Sequence, residues 1–157
     1  MNQATWFRIL ALSLGGVLGV NARYWLGVAI ARVTSHPFPW ATFLINVSGS
    51  FAIGFGASLL AGQSPHSPAR LLLLTGFLGG FTTFSTFSLE SVGLWRGGER
   101  GLSLFNALGS VAAGCLAVVL GAALANGLER PHPHPPLRGA ASSLPDHQEQ
   151  HRQGGQL

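Results

Sequence analysis

The sequence predicts an all-α membrane protein with four transmembrane helices per subunit. Three observations carry this. Only 9% of its 157 residues are charged and 47% are hydrophobic, whereas a soluble domain carries roughly a quarter charged residues. Four largely apolar runs, residues 7–31, 40–61, 69–95 and 102–127, each reach the about 20 residues that a helix needs to cross a hydrocarbon core. The connections are short and made of residues that end helices: HPFP from His36, GQSPHSP from Gly62 and RGGER from Arg96. Trp6, Trp25, Trp40 and Trp95 fall near the ends of these runs, where amphipathic rings sit at the membrane interface.

In the first run Gly15, Gly19 and Arg23 are spaced four apart and share a helix face. The glycines form a GxxxG pattern that lets two helices approach closely. Arg23 has two readings: a guanidinium facing an aqueous vestibule that attracts anions, or one that snorkels to the interface beside Tyr24 and Trp25. The run is too long for the hydrophobic part of a cleaved signal peptide and is expected to remain in the mature protein.

The second run, WATFLINVSGSFAIG, puts Thr42, Asn46 and Ser50 on one face with Gly54 continuing it. A buried asparagine there can tie helices together or offer amide donors to an anion. The third run holds GFLGGFTTFSTFS from Gly76 to Ser88. Glycines followed by Thr82 and Thr83 weaken a helix where lipid offers no replacement hydrogen bonds, so the sequence predicts a broken third helix between residues 76 and 83. Glu90, the one acid within the predicted spans, reads either as a gate or arginine partner or as an interfacial carboxylate. The fourth run repeats the polar spacing with Asn106, Ser110 and Gly114, and Ser103 about a turn earlier. Three spans with such stripes favour a polar route through the bundle over packing alone.

Residues 129–157 change to proline, histidine, glutamine and glycine. They have too few apolar side chains to offset the entropy of ordering and read as a disordered tail following a 1–128 transmembrane domain. His132, His134, His147 and His151 lie on it without a fixed ligand geometry and are assigned no metal. All nine basic residues are arginines. Arg8, Arg70, Arg130 and Arg138 fall on one side of the predicted topology and Arg32, Arg96 and Arg100 on the other, almost without the excess that fixes orientation. Two readings stay open: a fixed orientation with a weak bias, or insertion both ways, which would allow an antiparallel dual-topology homodimer with its two-fold axis in the membrane plane.

Other classes are disfavoured. The basic residues form no patch dense enough for nucleic acid. Cys115 lies alone in an apolar run and reads as a small hydrophobe. The spans hold no nucleophile with a histidine base, no paired carboxylates and no phosphate-binding loop, so the chain is not expected to be an enzyme.

Together GGVLGVNARY, ATFLINVSGSFAIG and GFLGGFTTFSTFSLE resemble the Fluc/CrcB family of fluoride channels, in order and over roughly residues 8–127. The resemblance implies an antiparallel, dual-topology homodimer with two pores, passing fluoride passively out of the cell across the bacterial plasma or inner membrane. It also implies site residues. Phe84 and Phe87 become the pore phenylalanines, Asn46 the pore asparagine, Ser110 the hydroxyl of a polar track on the fourth helix, and Arg23 the vestibule arginine. Ser85 and Thr86, with Glu90 beyond, match polar positions of the third helix. The backbone carbonyls of Gly79 and Thr82 match positions that hold a structural sodium ion between subunits. Three positions depart from the family's pattern: Asn106 where tyrosine is usual, Gly114 where a hydroxyl is common, and Ala41 where a glycine precedes the second-span motif.

The chemistry is consistent with that reading. Fluoride is small and strongly hydrated, so a pore must replace its water with donors such as the Asn46 amide and the hydroxyls of Ser110, Ser85 and Thr86. A phenylalanine edge is the positive part of its quadrupole and can face an anion. The alternative is a small dual-topology, proton-coupled multidrug exporter. Such exporters place an acid in the first span, where this chain has Arg23.

Overall fold

The computed structural model describes residues 2–128, which form a bundle of four long apolar helical spans. Residue 1 and the expected tail, with Arg130, Arg138 and its histidines, lie outside the described residues. Helix α1 (Gln3–Val33) starts ahead of the apolar run because Asn2 caps it, its Oδ1 accepting from the Thr5 N–H at 3.0 Å. Helix α2 (Trp40–Leu59) follows a tight loop whose Phe38 is buried against Trp40, Phe43 and Phe105, at centroid distances of 4.7, 5.7 and 5.3 Å. That aromatic cluster ties the loop to the first turns of the last helix.

The third span, Pro68–Arg96, is built in pieces. Ser67 caps a short α3 (Pro68–Arg70) that opens on proline, whose missing N–H is not needed in a first turn. Arg70 reaches back so that its Nη1 donates to the Leu60 carbonyl at 2.7 Å, closing the end of α2. A wide π-helical stretch, Leu71–Leu78, continues into α4 (Gly79–Phe81). Helical dihedrals then lapse at Thr82 (φ −81°, ψ 158°) and Thr83 (φ −150°, ψ 115°) and resume in α5 (Phe84–Arg96). Gly76 lies within the π-helical stretch and Gly79 and Gly80 within α4, so of residues 76–83, where the sequence predicts a break, only Thr82 and Thr83 fall outside helix. Gly98, at φ 88°, makes the turn into α6 (Arg100–Leu128), where the Arg100 guanidinium lies 5.4 Å from the Trp95 ring centroid.

Two glycine seams set the bundle. A Cβ on Gly15 or Gly19 would collide with the backbone carbonyls of Leu72 and Phe77, so α1 lies backbone to backbone on the π-helical stretch. Gly54 meets the Val118 carbonyl and Gly121 the Phe51 carbonyl, so α2 and α6 approach in the same way. The third span links the two pairs, its π-helical part lying on α1 and its α5 against α6. Much of the apolar surface of α1 and α6 faces outward, as suits helices in lipid.

Candidate functional site

The site is organised by Thr83. Asn46, one helix away, pairs with its peptide at both ends: Nδ2 donates to the Thr83 carbonyl at 3.0 Å and Oδ1 accepts from the Thr83 N–H at 2.8 Å. A backbone pair outside a helix is thereby satisfied without water. Thr83 also caps α5. Its Oγ1 accepts from the Thr86 N–H at 3.2 Å and donates to Thr86 Oγ1 at 3.0 Å. A hydroxyl has one proton, so in the Thr83···Ser85 contact at 3.3 Å the Ser85 Oγ is the donor. The Ser85 proton is therefore engaged, whereas that of Thr86 has no acceptor among the described residues.

These bonds displace two donors from the helix ladder. In an unbroken α-helix the Thr83 N–H would reach the Gly79 carbonyl and the Thr86 N–H the Thr82 carbonyl. Here they go to Asn46 and to Thr83 Oγ1. The Gly79 and Thr82 carbonyls are thus relieved of their helical partners, and both residues border the larger cleft.

That cleft, about 710 Å³ and mostly apolar, lies between α2, the third span and α6. It brings together Asn46, Phe84, Phe87 and Ser110, four of the residues expected at the site. The Phe84 and Phe87 rings are 5.5 Å apart and inclined at 45°, and Phe84 is 78% exposed within one subunit. A second cleft, about 550 Å³, is lined by Arg23, Thr42 and Thr86. Thr83 borders both, so the extended pair stands between them. The polar face read along the second run divides here: Thr42 belongs to the Arg23 cleft, Asn46 and Ser50 to the larger one.

Among the described residues Glu90 pairs with a hydroxyl rather than an arginine. Its Oε1 accepts from Thr42 Oγ1 at 2.8 Å, and Oε2 is buried with no hydrogen-bond partner among the described residues. Asn106 is 1% exposed and does not line the larger cleft. Its Nδ2 donates to Ser91 Oγ at 2.9 Å, Ser91 Oγ donates to the Phe87 carbonyl at 2.8 Å, and Ser110 Oγ donates to Asn106 Oδ1 at 3.2 Å. Ser103 Oγ adds a bond to the Ser91 carbonyl at 2.7 Å.

Sequence reasoning named Thr83 only as part of the break and passed over Ser91. Thr83 carried a signal, a hydroxyl residue at the start of a helix with Thr86 at its third position. Ser91 carried none beyond its place one turn after Phe87, because a serine in an apolar helix usually bonds its own backbone.

A model of the family described as CrcB-like protein, Camphor Resistance (CrcB), matches residues 10–122. Among curated relatives, the fluoride-specific ion channel FluC of Solibacter usitatus is 47% identical over 119 residues, covering 75% of this chain and 98% of the relative. The protein of that name from Thermus thermophilus is 43% identical over 121 residues, covering 77% and 95%. That from Synechocystis is 42% identical over 120 residues, covering 76% and 92%.

Proposed function

The chain belongs to the CrcB-like family, and from that premise we propose that it is a fluoride-specific channel of a bacterial membrane, lowering cytoplasmic fluoride by passive export. The observation that carries the reading is the larger cleft, where an amide, a hydroxyl and two phenylalanine rings meet in a mostly apolar wall. An anion leaving water needs donors at close range and little else that is polar. Asn46 has two amide protons; one is held by the Thr83 carbonyl and the other can serve the ion. Ring edges of Phe84 and Phe87 favour an anion weakly while their bodies narrow the path. In the second cleft, Arg23 draws anions toward the free hydroxyl proton of Thr86, and Ser85 braces Thr83.

We read the working unit as an antiparallel homodimer in the bilayer, each subunit contributing a third helix broken at Thr82–Thr83. Supporting this are the outward Phe84 ring and the near balance, along the sequence, of Arg8, Arg70, Arg130 and Arg138 against Arg32, Arg96 and Arg100. A sodium ion fits the donors at the break. The carbonyls of Gly79 and Thr82 are hard oxygens whose helical donors are engaged elsewhere. Such an ion would supply fixed positive charge and join two copies through their breaks.

Fluoride efflux from liposomes carrying the purified protein tests the function. Rapid efflux, set only by the fluoride gradient and the membrane potential, is expected. No flux above that of empty vesicles would overturn the reading, and flux requiring a proton gradient would favour an exporter.

A further inference from the structure

Ser110 brings a hydroxyl of α6 to the larger cleft, but its proton is already engaged. Asn106 Oδ1 can only accept, so in the 3.2 Å contact the Ser110 hydroxyl must be the donor. What Ser110 then turns toward the cleft is oxygen lone pairs, which repel an anion. The acceptor is also fixed in place. Asn106 is 1% exposed, and its Nδ2 is tied to Ser91 Oγ at 2.9 Å, so the amide cannot turn away without breaking that bond.

We infer that Asn106 is a positioning residue that competes with the transported anion for the single proton of Ser110, and so weakens the anion subsite on α6. An ion takes that proton only when the hydroxyl rotates off Asn106, leaving a buried amide oxygen without a partner. The subsite therefore holds the anion loosely and releases it readily. The inference rests on the channel reading, and the sequence motif alone does not contain it. Spacing puts Asn106 and Ser110 on one face, whereas the direction of the bond comes from the structure.

The test is fluoride efflux from liposomes over a range of internal fluoride, scored as half-saturating concentration and maximal rate per assembled protein. Asn106→Leu keeps bulk and removes the acceptor. It should lower the half-saturating concentration by about three- to tenfold, the span of one neutral hydrogen bond's net contribution. Where leucine fails to pack, Asn106→Ala, which only removes atoms, carries the same expectation. In a Ser110→Ala background either change should have no further effect. Ser91→Ala frees the amide that its hydroxyl holds in place, and should lower the half-saturating concentration no further than the Asn106 variants do, and only while Ser110 is present. A merely structural tie between helices would instead shift it whether or not Ser110 is present. The inference is overturned if the Asn106 variants show an unchanged or higher half-saturating concentration, or if their shift persists without Ser110. A wild-type protein that conducts no fluoride would overturn the channel reading instead.

Discussion

Asn46 holds the Thr83 peptide by both ends, with Nδ2 on its carbonyl at 3.0 Å and Oδ1 on its N–H at 2.8 Å. One side chain thus replaces the helical partner of an N–H that has left the ladder and adds a bond to the carbonyl that opens α5. Asn46 also lines the larger cleft, so on the proposed channel reading structure and conduction meet in this pair, and substitutions at Asn46 separate them.

Asn46→Leu should leave the Thr83 N–H unpaired away from water, destabilising the fold by about 1–3 kcal/mol, while the Thr83 carbonyl keeps the bond that opens α5. Thermal unfolding in detergent reads this loss. Asn46→Asp should retain an acceptor for the Thr83 N–H while placing negative charge beside the anion path. Fluoride efflux is expected to vanish while the protein still assembles, as size-exclusion chromatography would report. Wild-type efflux from a protein with the aspartate ionised would remove Asn46 from the ion path.

Phe84 separates bulk from ring electrostatics. Its ring is 78% exposed and 5.5 Å from that of Phe87, so it contributes little to packing within the subunit. Phe84→Ile keeps an apolar side chain and removes the polarised ring edge. Efflux should fall by an order of magnitude or more with little change in unfolding temperature. Efflux equal to the wild type would make the ring a packing element only.

The glycine seams predict a purely structural phenotype. Gly19→Ala places a methyl against the Phe77 carbonyl, and Gly54→Ala places one against that of Val118. Backbone cannot move aside as a flexible side chain can, so each should cost about 1–3 kcal/mol or more. Gly16→Ala is the control, since a Cβ there meets nothing within 4 Å. Unfolding of the three variants in parallel checks the ranking.

The four spans were legible because crossing a membrane demands long apolar runs, and the short proline- and glycine-rich connections were legible for the converse reason. The helix ends shifted through local contacts, such as the Asn2 cap that starts α1 at Gln3. The π-helical stretch Leu71–Leu78 was not legible. Its composition is that of any apolar helix, and it lies where α1 approaches backbone to backbone at Gly15 and Gly19.

Within the site, spacing placed Thr42, Asn46 and Ser50 on one face but could not say that they serve two clefts. The partners were harder still. Asn46 meets a peptide, Thr42 meets Glu90, and Asn106 meets Ser91 across helices. Long-range hydrogen bonds leave no periodic trace in one sequence, because an asparagine or serine in an apolar run looks the same whether it bonds an ion, a neighbouring helix or its own backbone. Glycine content had suggested irregular backbone from residue 76 onward. In the structure residues 76–81 remain π- or α-helical and only Thr82 and Thr83 leave the helix, where side-chain acceptors exist to replace the lost ladder.

The last prediction concerns those displaced donors. With the Thr83 and Thr86 N–H groups engaged elsewhere, the Gly79 and Thr82 carbonyls need another partner in a medium without water. If sodium supplies it, folding and ion binding are linked, and sodium at a hundredfold above its Kd should stabilise the assembly by about 2.7 kcal/mol. Unfolding in detergent should therefore shift to lower temperature when sodium is replaced by N-methylglucamine, and return saturably as sodium is added back. A melting temperature indifferent to sodium in the wild type would assign these carbonyls to some other partner, such as a donor from the second subunit.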